Sequence, residues 1–202
     1  MDIISINLST TKTKLAKKQV IYRSNQQACG FYYLASGMVG LYRITESGKE
    51  HLLRVYGEGD YFGYRSLFSQ EPYHLTTRSL LPSVIHHVHV KDVQELQAQA
   101  PEILQFLLKS VCRELGEAEG RFSNVAAYQT KVRVIDAIVE LFQKFDFYPW
   151  TSREIAEYSG TETQTVIRFC KLLKEKNLLD PNARGIRPLD IEGLKQLRNE
   201  LV

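Results

Sequence analysis

The sequence predicts an α+β chain: an N-terminal antiparallel β-roll, a long central helix and a C-terminal winged helix-turn-helix. Three observations carry that expectation. Short apolar or alternating runs separated by turn residues fill positions 18–90; a long stretch with heptad spacing follows Pro101; and two capping signals flank Gly160 in the last third. With 202 residues, 44% apolar and 24% charged, the chain can bury a core and is too hydrophobic to stay disordered. At roughly 100–150 residues per domain, two modest domains fit this length. A net charge of +3 is too small to coat a polyanion, so any polyanion site is a local patch.

The β region reads as QVIYR, GFYYLA, MVGLYRI, HLLRVY, DYFGY, LTTRSLL and SVIHHVHV, about seven strands beginning near Lys18. Between Leu41–Ile44 and His51–Val55 the segment Thr45-Glu46-Ser47-Gly48-Lys49 reads as a hairpin loop in which Gly48 takes positive φ. Gly57-Glu58-Gly59-Asp60-Tyr61-Phe62-Gly63 has G-x-G-x-x-x-G spacing and lacks the strand–turn–helix context of a dinucleotide fingerprint, so these are read as turn glycines.

Pro101 opens the helix where a missing N–H costs nothing. Leu104, Leu108, Val111, Leu115, Ala118, Phe122 and Val125 then recur at alternating spacings of 4 and 3, the a/d seam of a coiled coil, which predicts a homodimer. The seam stops at Gln129, and Val132, Ile135, Ile138, Val139 and Phe142 form a broader face suited to a globular core. A hinge at 128–130 therefore divides the chain into a sensor-type roll (1–100), a dimerisation helix (101–129) and a terminal module (130–202).

Thr151-Ser152-Arg153-Glu154 is a capping box opening a short helix that Gly160 ends, and Thr161-Glu162-Thr163-Gln164 offers a second capping signal across a three- to four-residue turn. In the second helix Val166, Phe169, Cys170 and Leu173 face inward, which turns Gln164, Ile167, Arg168 and Lys171 outward. Arg can grip guanine O6 and N7, Gln can pair with adenine, and an exposed Ile can touch a thymine methyl, so Thr163, Gln164, Ile167 and Arg168 are the candidate base-reading residues. From Thr163 to Arg187 six basic residues face two acids, a local +4. Asn177–Leu179 and Ile186–Leu189 read as strands of a wing around Asp180–Gly185, with Arg184 at its tip. Thr151, Ser152, Thr161, Thr165, Lys171, Arg184 and Arg187 are the candidate phosphate contacts.

Cys29, Cys112 and Cys170 are widely spaced, with no CxxC pair, which points to a reduced, cytoplasmic chain without a disulfide framework or thiolate metal cluster. The opening MDIISINL lacks the basic region of a signal peptide, and no apolar run of 18 residues follows, so no membrane partner is expected. No paired carboxylates, activated nucleophile or phosphate loop stands at a convincing spacing, and an enzyme is not expected. His74 and the run His86-His87-Val88-His89 leave haem or a metal open, but no acidic or cysteine third ligand stands at matching spacing and no metal site is assigned.

Taken together, Lys18–Arg23, Phe31–Gly37, the segment from Gly48 through Gly59-Asp60-Tyr61-Phe62-Gly63 to Phe68, and Thr151–Leu179 resemble the CRP/FNR superfamily of bacterial transcription regulators, over roughly residues 17–200. The resemblance implies a cyclic-nucleotide-binding-like double-stranded β-roll, a dimerisation helix and a winged helix-turn-helix. It also implies a homodimer on two-fold-symmetric promoter DNA, with RNA polymerase as a further partner. Members that bind cyclic nucleotide carry a Glu after Phe-Gly for the ribose and an Arg-Ser or Arg-Thr pair for the phosphate; this chain has Tyr64 and His74-Leu75 there. Ala118-Glu119 replaces the Thr-Ser pair that reads adenine from the helix. Where family members offer Arg, Glu and Arg on the recognition helix, this chain offers Thr163, Gln164 and Arg168, so its operator differs from TGTGA.

A cAMP cofactor is accordingly not expected. Neither is an iron–sulfur cluster, since no cysteine precedes Cys29. Tyr64, Arg65, His74, Thr76 and Thr77, with Arg78, are candidates for a rebuilt effector pocket, and a ligand-free regulator is equally compatible. The competing reading is a small-molecule or haem/metal sensor module that signals through protein contacts without sequence-specific DNA binding.

Overall fold

A computed structural model describes residues 8–202. The leader-type reading of MDIISINL falls almost wholly on residues 1–7, outside the described residues. The chain forms two compact units divided between Glu117 and Ala118, inside the long helix, whereas the sequence divided it at 100/101 and 129/130.

The first unit holds eight strands: β1 (Thr10–Leu15), β2 (Val20–Tyr22), β3 (Phe31–Ser36), β4 (Val39–Ile44), β5 (Glu50–Tyr56), β6 (Tyr61–Phe62), β7 (Thr76–Ser79) and β8 (Ser83–Val88). They build two antiparallel four-stranded sheets, ordered β1-β8-β3-β6 and β2-β7-β4-β5. The strand added to the expected seven is β1: Thr10–Lys14 is exposed along its length, so no apolar alternation announces it. Three helices complete the unit's elements: α1 (Arg65–Ser69), α2 (Val93–Gln99) and the first part of α3 (Pro101–Ala127). The β4–β5 hairpin forms as expected, with Gly48 at φ +78°.

Period-two alternation explains the layering. In β3, Tyr32 and Leu34 enter a core shared by both sheets with Leu15, Leu41, Phe62 and Ile85. Phe31 turns the other way and joins Val88, Leu96, Ile103, Leu104 and Leu107 beneath the helices. The sheet containing β3 is thus covered on both faces.

The second unit contains the end of α3, then α4 (Thr130–Lys144), α5 (Ser152–Ser159), α6 (Thr163–Glu175) and α7 (Ile191–Glu200). α4 packs against α5 and α7, and α5 against α6. Trp150 is fully buried, and its indole N–H donates to the Phe145 carbonyl at 3.2 Å. Among the described residues no helix is long and apolar enough to cross a membrane.

Candidate nucleic-acid interface and effector cavity

The helix pair forms for local reasons. Thr151 Oγ1 accepts from the Glu154 N–H at 3.2 Å while the Thr151 N–H donates to the Glu154 carboxylate at 2.9 Å, closing the capping box. Gly160 ends α5 in the left-handed region at φ +67°, where a Cβ would be strained. Three residues later α6 begins. Its N-cap is Glu162, without a side-chain cap bond, so the expected capping role of Thr161 is not met: the chain turns into α6 one residue later than the Thr161–Gln164 pattern requires. The Thr161 N–H instead donates back to the Ala156 carbonyl at 3.0 Å.

Val166, Phe169, Cys170 and Leu173 are buried, and burial pushes the Cys170 thiol up to about 11. The opposite face presents Gln164, Ile167, Arg168 and Lys171, all exposed, with Ile167 at 45%. Thr163 and Thr165 are half-buried at the start of the helix, and Thr161 in the turn before it. Arg168 and Lys171 form no hydrogen bond or ion pair among the described residues. Of the remaining phosphate candidates, Ser152 is half-buried, and the Thr151 hydroxyl is engaged with Glu154.

The wing is shorter than expected. Instead of two strands it holds one antiparallel bridge, Leu179 to Pro188, flanked by Asp180 N–H to Arg187 carbonyl (2.8 Å) and Leu189 N–H to Leu178 carbonyl (3.0 Å). Burial of Leu179 and Ile186 anchors it, while Pro188 removes a ladder donor. Arg184 and Arg187 are exposed. Lys174 Nζ donates to the Ala183 carbonyl at 2.9 Å, so this cation, counted above in the basic patch, ties α6 to the wing.

Along α3 the seam divides. Leu104 is 6% exposed and Val111 half-buried against the same cluster, so the roll's own core takes the first part of the candidate dimer face. This corrects the assignment of Leu104: the first turns of α3 lie over β3 and β8, and its neighbours Ile103 and Leu107 draw it inward. Leu108, between Leu104 and Val111, is exposed, as are Leu115, Ala118, Phe122 and Val125 further along, Phe122 at 77%.

In the roll, an open concavity is lined by Tyr22, Tyr56, Tyr64, Arg65, Tyr73 and His74, among others. It brings together Tyr64, Arg65 and His74 of the candidate pocket. Thr76 and Thr77 do not line it: both are buried in β7, and Thr76 Oγ1 accepts from the Ser24 N–H at 3.1 Å. Arg78 is committed elsewhere, forked onto Glu50 at 2.8 Å and stacked 4.0 Å from the Tyr42 ring. His74 pairs with Glu71 at 2.8 Å on the surface.

Sequence reasoning missed how Tyr64, one of the lining residues, is tied to α3. Gly63, at φ +80°, lets the chain turn where a Cβ would crowd Tyr32 and Tyr22. The next residue, Tyr64, is buried, and its hydroxyl donates to Glu114 Oε1 on α3 at 2.8 Å. Arg54 of β5 meets Glu114 at 3.3 Å and Glu117 at 3.0 Å, and donates to the Glu114 carbonyl at 3.2 Å. Burial, then the Glu114 charge, pushes the Tyr64 hydroxyl well above the usual phenol range, so it stays a donor. No local pattern signals contacts formed across 50 to 63 residues of chain.

His87 Nε2 lies 2.6 Å from the Cys29 carbonyl, its ring 4.3 Å from that of His89; burial foremost, and His89, hold its pKa below the ordinary imidazole value. Among the described residues no group of three or more His, Cys, Asp or Glu is arranged to hold a metal.

Comparison with known proteins agrees with this geometry in both units. Residues 12–100 match the family described as cyclic nucleotide-binding domain, and residues 132–197 the Crp-like helix-turn-helix domain. An uncharacterized protein of Haemophilus influenzae is 35% identical over 108 residues, covering 54% of this chain and 83% of that one. The probable transcriptional regulator flp of Lacticaseibacillus casei is 26% identical over 92% of this chain and 86% of its own. A solved CRP/FNR-family regulator from Thermus thermophilus superposes with a TM-score of 0.80 at 23% identity, covering 95% of this chain and all of that one. A roll and a helix-turn-helix, each matched on its own and joined in this order, make the chain a member of the CRP/FNR superfamily of transcription regulators.

Proposed function

We propose that the chain is a homodimeric, sequence-specific DNA-binding regulator whose roll no longer binds cAMP. The outward face of α6 carries this reading: Gln164, Ile167, Arg168 and Lys171 are exposed on a helix whose opposite side is locked into the core. An N-terminal turn inserted in the major groove would bring Thr163, Gln164, Ile167 and Arg168 to base edges. Thr151, Ser152, Thr161, Thr165, Lys171, Arg184 and Arg187 would meet phosphates around them. Two such helices one DNA turn apart require a two-fold partner. The exposed Leu108, Leu115, Phe122 and Val125 supply a seam whose apolar surface one copy leaves in water.

Loss of cAMP binding is supported by what occupies the roll. The position of the ribose-accepting Glu holds Tyr64, a donor already engaged with Glu114, and His74-Leu75 offers no guanidinium for a cyclic phosphate. Arg54, Glu114 and Tyr64 link β5, α3 and the residue before α1.

The test is selection of bound duplexes from random DNA, followed by titration of the selected site at several salt concentrations. Phosphate neutralisation gives log affinity a steep negative slope on log salt, and selected DNA should bind far more tightly than random DNA. Failure to enrich any sequence would overturn the reading. In sedimentation, Phe122→Asp should convert the dimer to monomer; a dimer that persists would remove the seam from the interface.

A further inference from the structure

The second unit is held together unevenly. α4, α5, α6 and α7 each bury apolar side chains, among them Ile135, Ile155, Leu173 and Leu194, whereas no residue of α3 beyond Ser110 is buried. The joint from α3 to α4 is short. The last bond of α3 runs from the Tyr128 N–H to the Asn124 carbonyl at 2.9 Å and the first of α4 from the Arg133 N–H to the Gln129 carbonyl at 3.3 Å, with Gln129 extended at ψ 157° and without a side-chain cap bond. Burial therefore fixes the reading helix to α4 through α5 but does not fix the angle at which α4 leaves α3.

Three cations bridge that joint. Arg198 of α7 donates from Nε to Asp136 Oδ1 of α4 at 3.1 Å, and its guanidinium lies 4.7 Å from the centre of the Tyr128 ring, at the joint itself. Arg133 of α4 reaches back to the Val125 carbonyl, one of those that a helix C-terminus leaves unpaired, and to the Thr130 hydroxyl, both at 3.4 Å. α3 has no basic residue in its own last turn, so Arg133 supplies the cation that the negative end of its dipole favours. Arg121 of α3 lies 5.1 Å from the centre of the Tyr158 ring on α5. None of the three uses the exposed side chains of Phe122 and Val125.

We propose that Arg198, Arg133 and Arg121 are positioning residues: they fix the angle between the dimer seam and the reading helix, and so set which separation of operator half-sites the protein accepts. The inference rests on the DNA-binding reading above and adds to it a specificity for spacing, distinct from the specificity for bases. Phe122 and Val125 of the seam lie on one side of the joint and Gln164, Ile167 and Arg168 on the other, all within the second unit. In a two-fold dimer, a change of angle at the joint moves both reading helices at once. One base pair more or fewer between half-sites shifts them by about 3.4 Å along the duplex axis and about 34° around it. A clasped joint follows neither displacement, and a loose one follows both. Arg198 is the central member, because it alone holds both the joint residue Tyr128 and α4.

The full chain should be taken through selection from random duplex DNA. Its affinity for the selected operator is then compared, by fluorescence anisotropy, with operators whose half-sites stand one or two base pairs closer or further apart. The unaltered chain should lose about ten-fold or more for each base pair of change. Arg198→Ala should bring the one-base-pair variants to within about three-fold of the selected operator, while discrimination against a base change inside a half-site is kept. Tyr128→Leu, which leaves the bond from Arg198 to Asp136 in place, should relax the profile in the same direction, and it decides alone if circular dichroism shows Arg198→Ala unfolded. An enriched operator whose spacing profile survives in every folded variant, even with all affinities lowered, would overturn the inference and leave the DNA-binding reading intact. A flat profile for the unaltered chain would do the same. Enrichment of no sequence at all would overturn that reading, and the inference with it.

Discussion

In the roll, Tyr64, Arg54 and Arg78 reach side chains of the same unit, whereas on α6 the guanidinium of Arg168 and the ammonium of Lys171 stand in water. The difference separates two uses of polar groups. A buried polar atom must be matched from within, and a matched one has little left to offer a ligand. An exposed cation costs nothing to leave unpaired and is available to a polyanion. On the proposed reading, a family fold can exchange its small-molecule chemistry and keep a nucleic-acid face.

The largest expected effect tests whether the two units are separable. Trp150→Ala should destabilise the second unit by about 3–5 kcal/mol, the cost of a fully buried aromatic. Hydrogen exchange should show lost protection in 118–202 with 8–117 unchanged; loss in both would join the regions that the comparison keeps apart. Next, Arg168→Ala should cost about 1–3 kcal/mol on a selected duplex and little on random DNA, while Arg187→Ala should weaken both alike, as read by fluorescence anisotropy. Equal losses for Arg168→Ala would demote it to a phosphate contact.

A smaller effect belongs to the roll. Tyr64→Phe removes the donor to Glu114 but leaves Arg54 beside it, so urea unfolding should report a loss of about 1 kcal/mol. A neutral result would mean that Arg54 holds Glu114 unaided. The smallest effect is a pH dependence. The folded pKa of His87 is depressed, so below the ordinary imidazole pKa of about 6.5 the unfolded chain binds more protons than the folded one. Its contribution is fully present above that value and is lost as the pH falls through the folded pKa. His87→Gln should flatten the decline in melting temperature between about pH 7 and 5.

Legibility followed the same division. The inward face of α6 could be read from Val166, Phe169, Cys170 and Leu173, because an amphipathic helix writes its burial at fixed intervals. The capping box at Thr151 and the stop at Gly160 are local chemistry and were equally plain. β1 was not legible, since a strand with five exposed polar residues has no periodic apolar signal. Thr76 and Thr77 were read as pocket residues, yet the pairing of β7 between β2 and β4 buries them, and that pairing is a tertiary fact. Leu104 kept heptad spacing while serving a different core, because spacing names a face of a helix but not its neighbour. The pairing of Arg54 with Glu114 could not be read for the same reason.

The tether from Lys174 to the Ala183 carbonyl carries a mechanical consequence. It ties the hairpin to α6, so on the proposed reading a groove contact and its flanking phosphate contact would move together. A duplex that widens or narrows beneath them would then itself supply the deformation energy, and base steps outside direct touch would be graded by their stiffness.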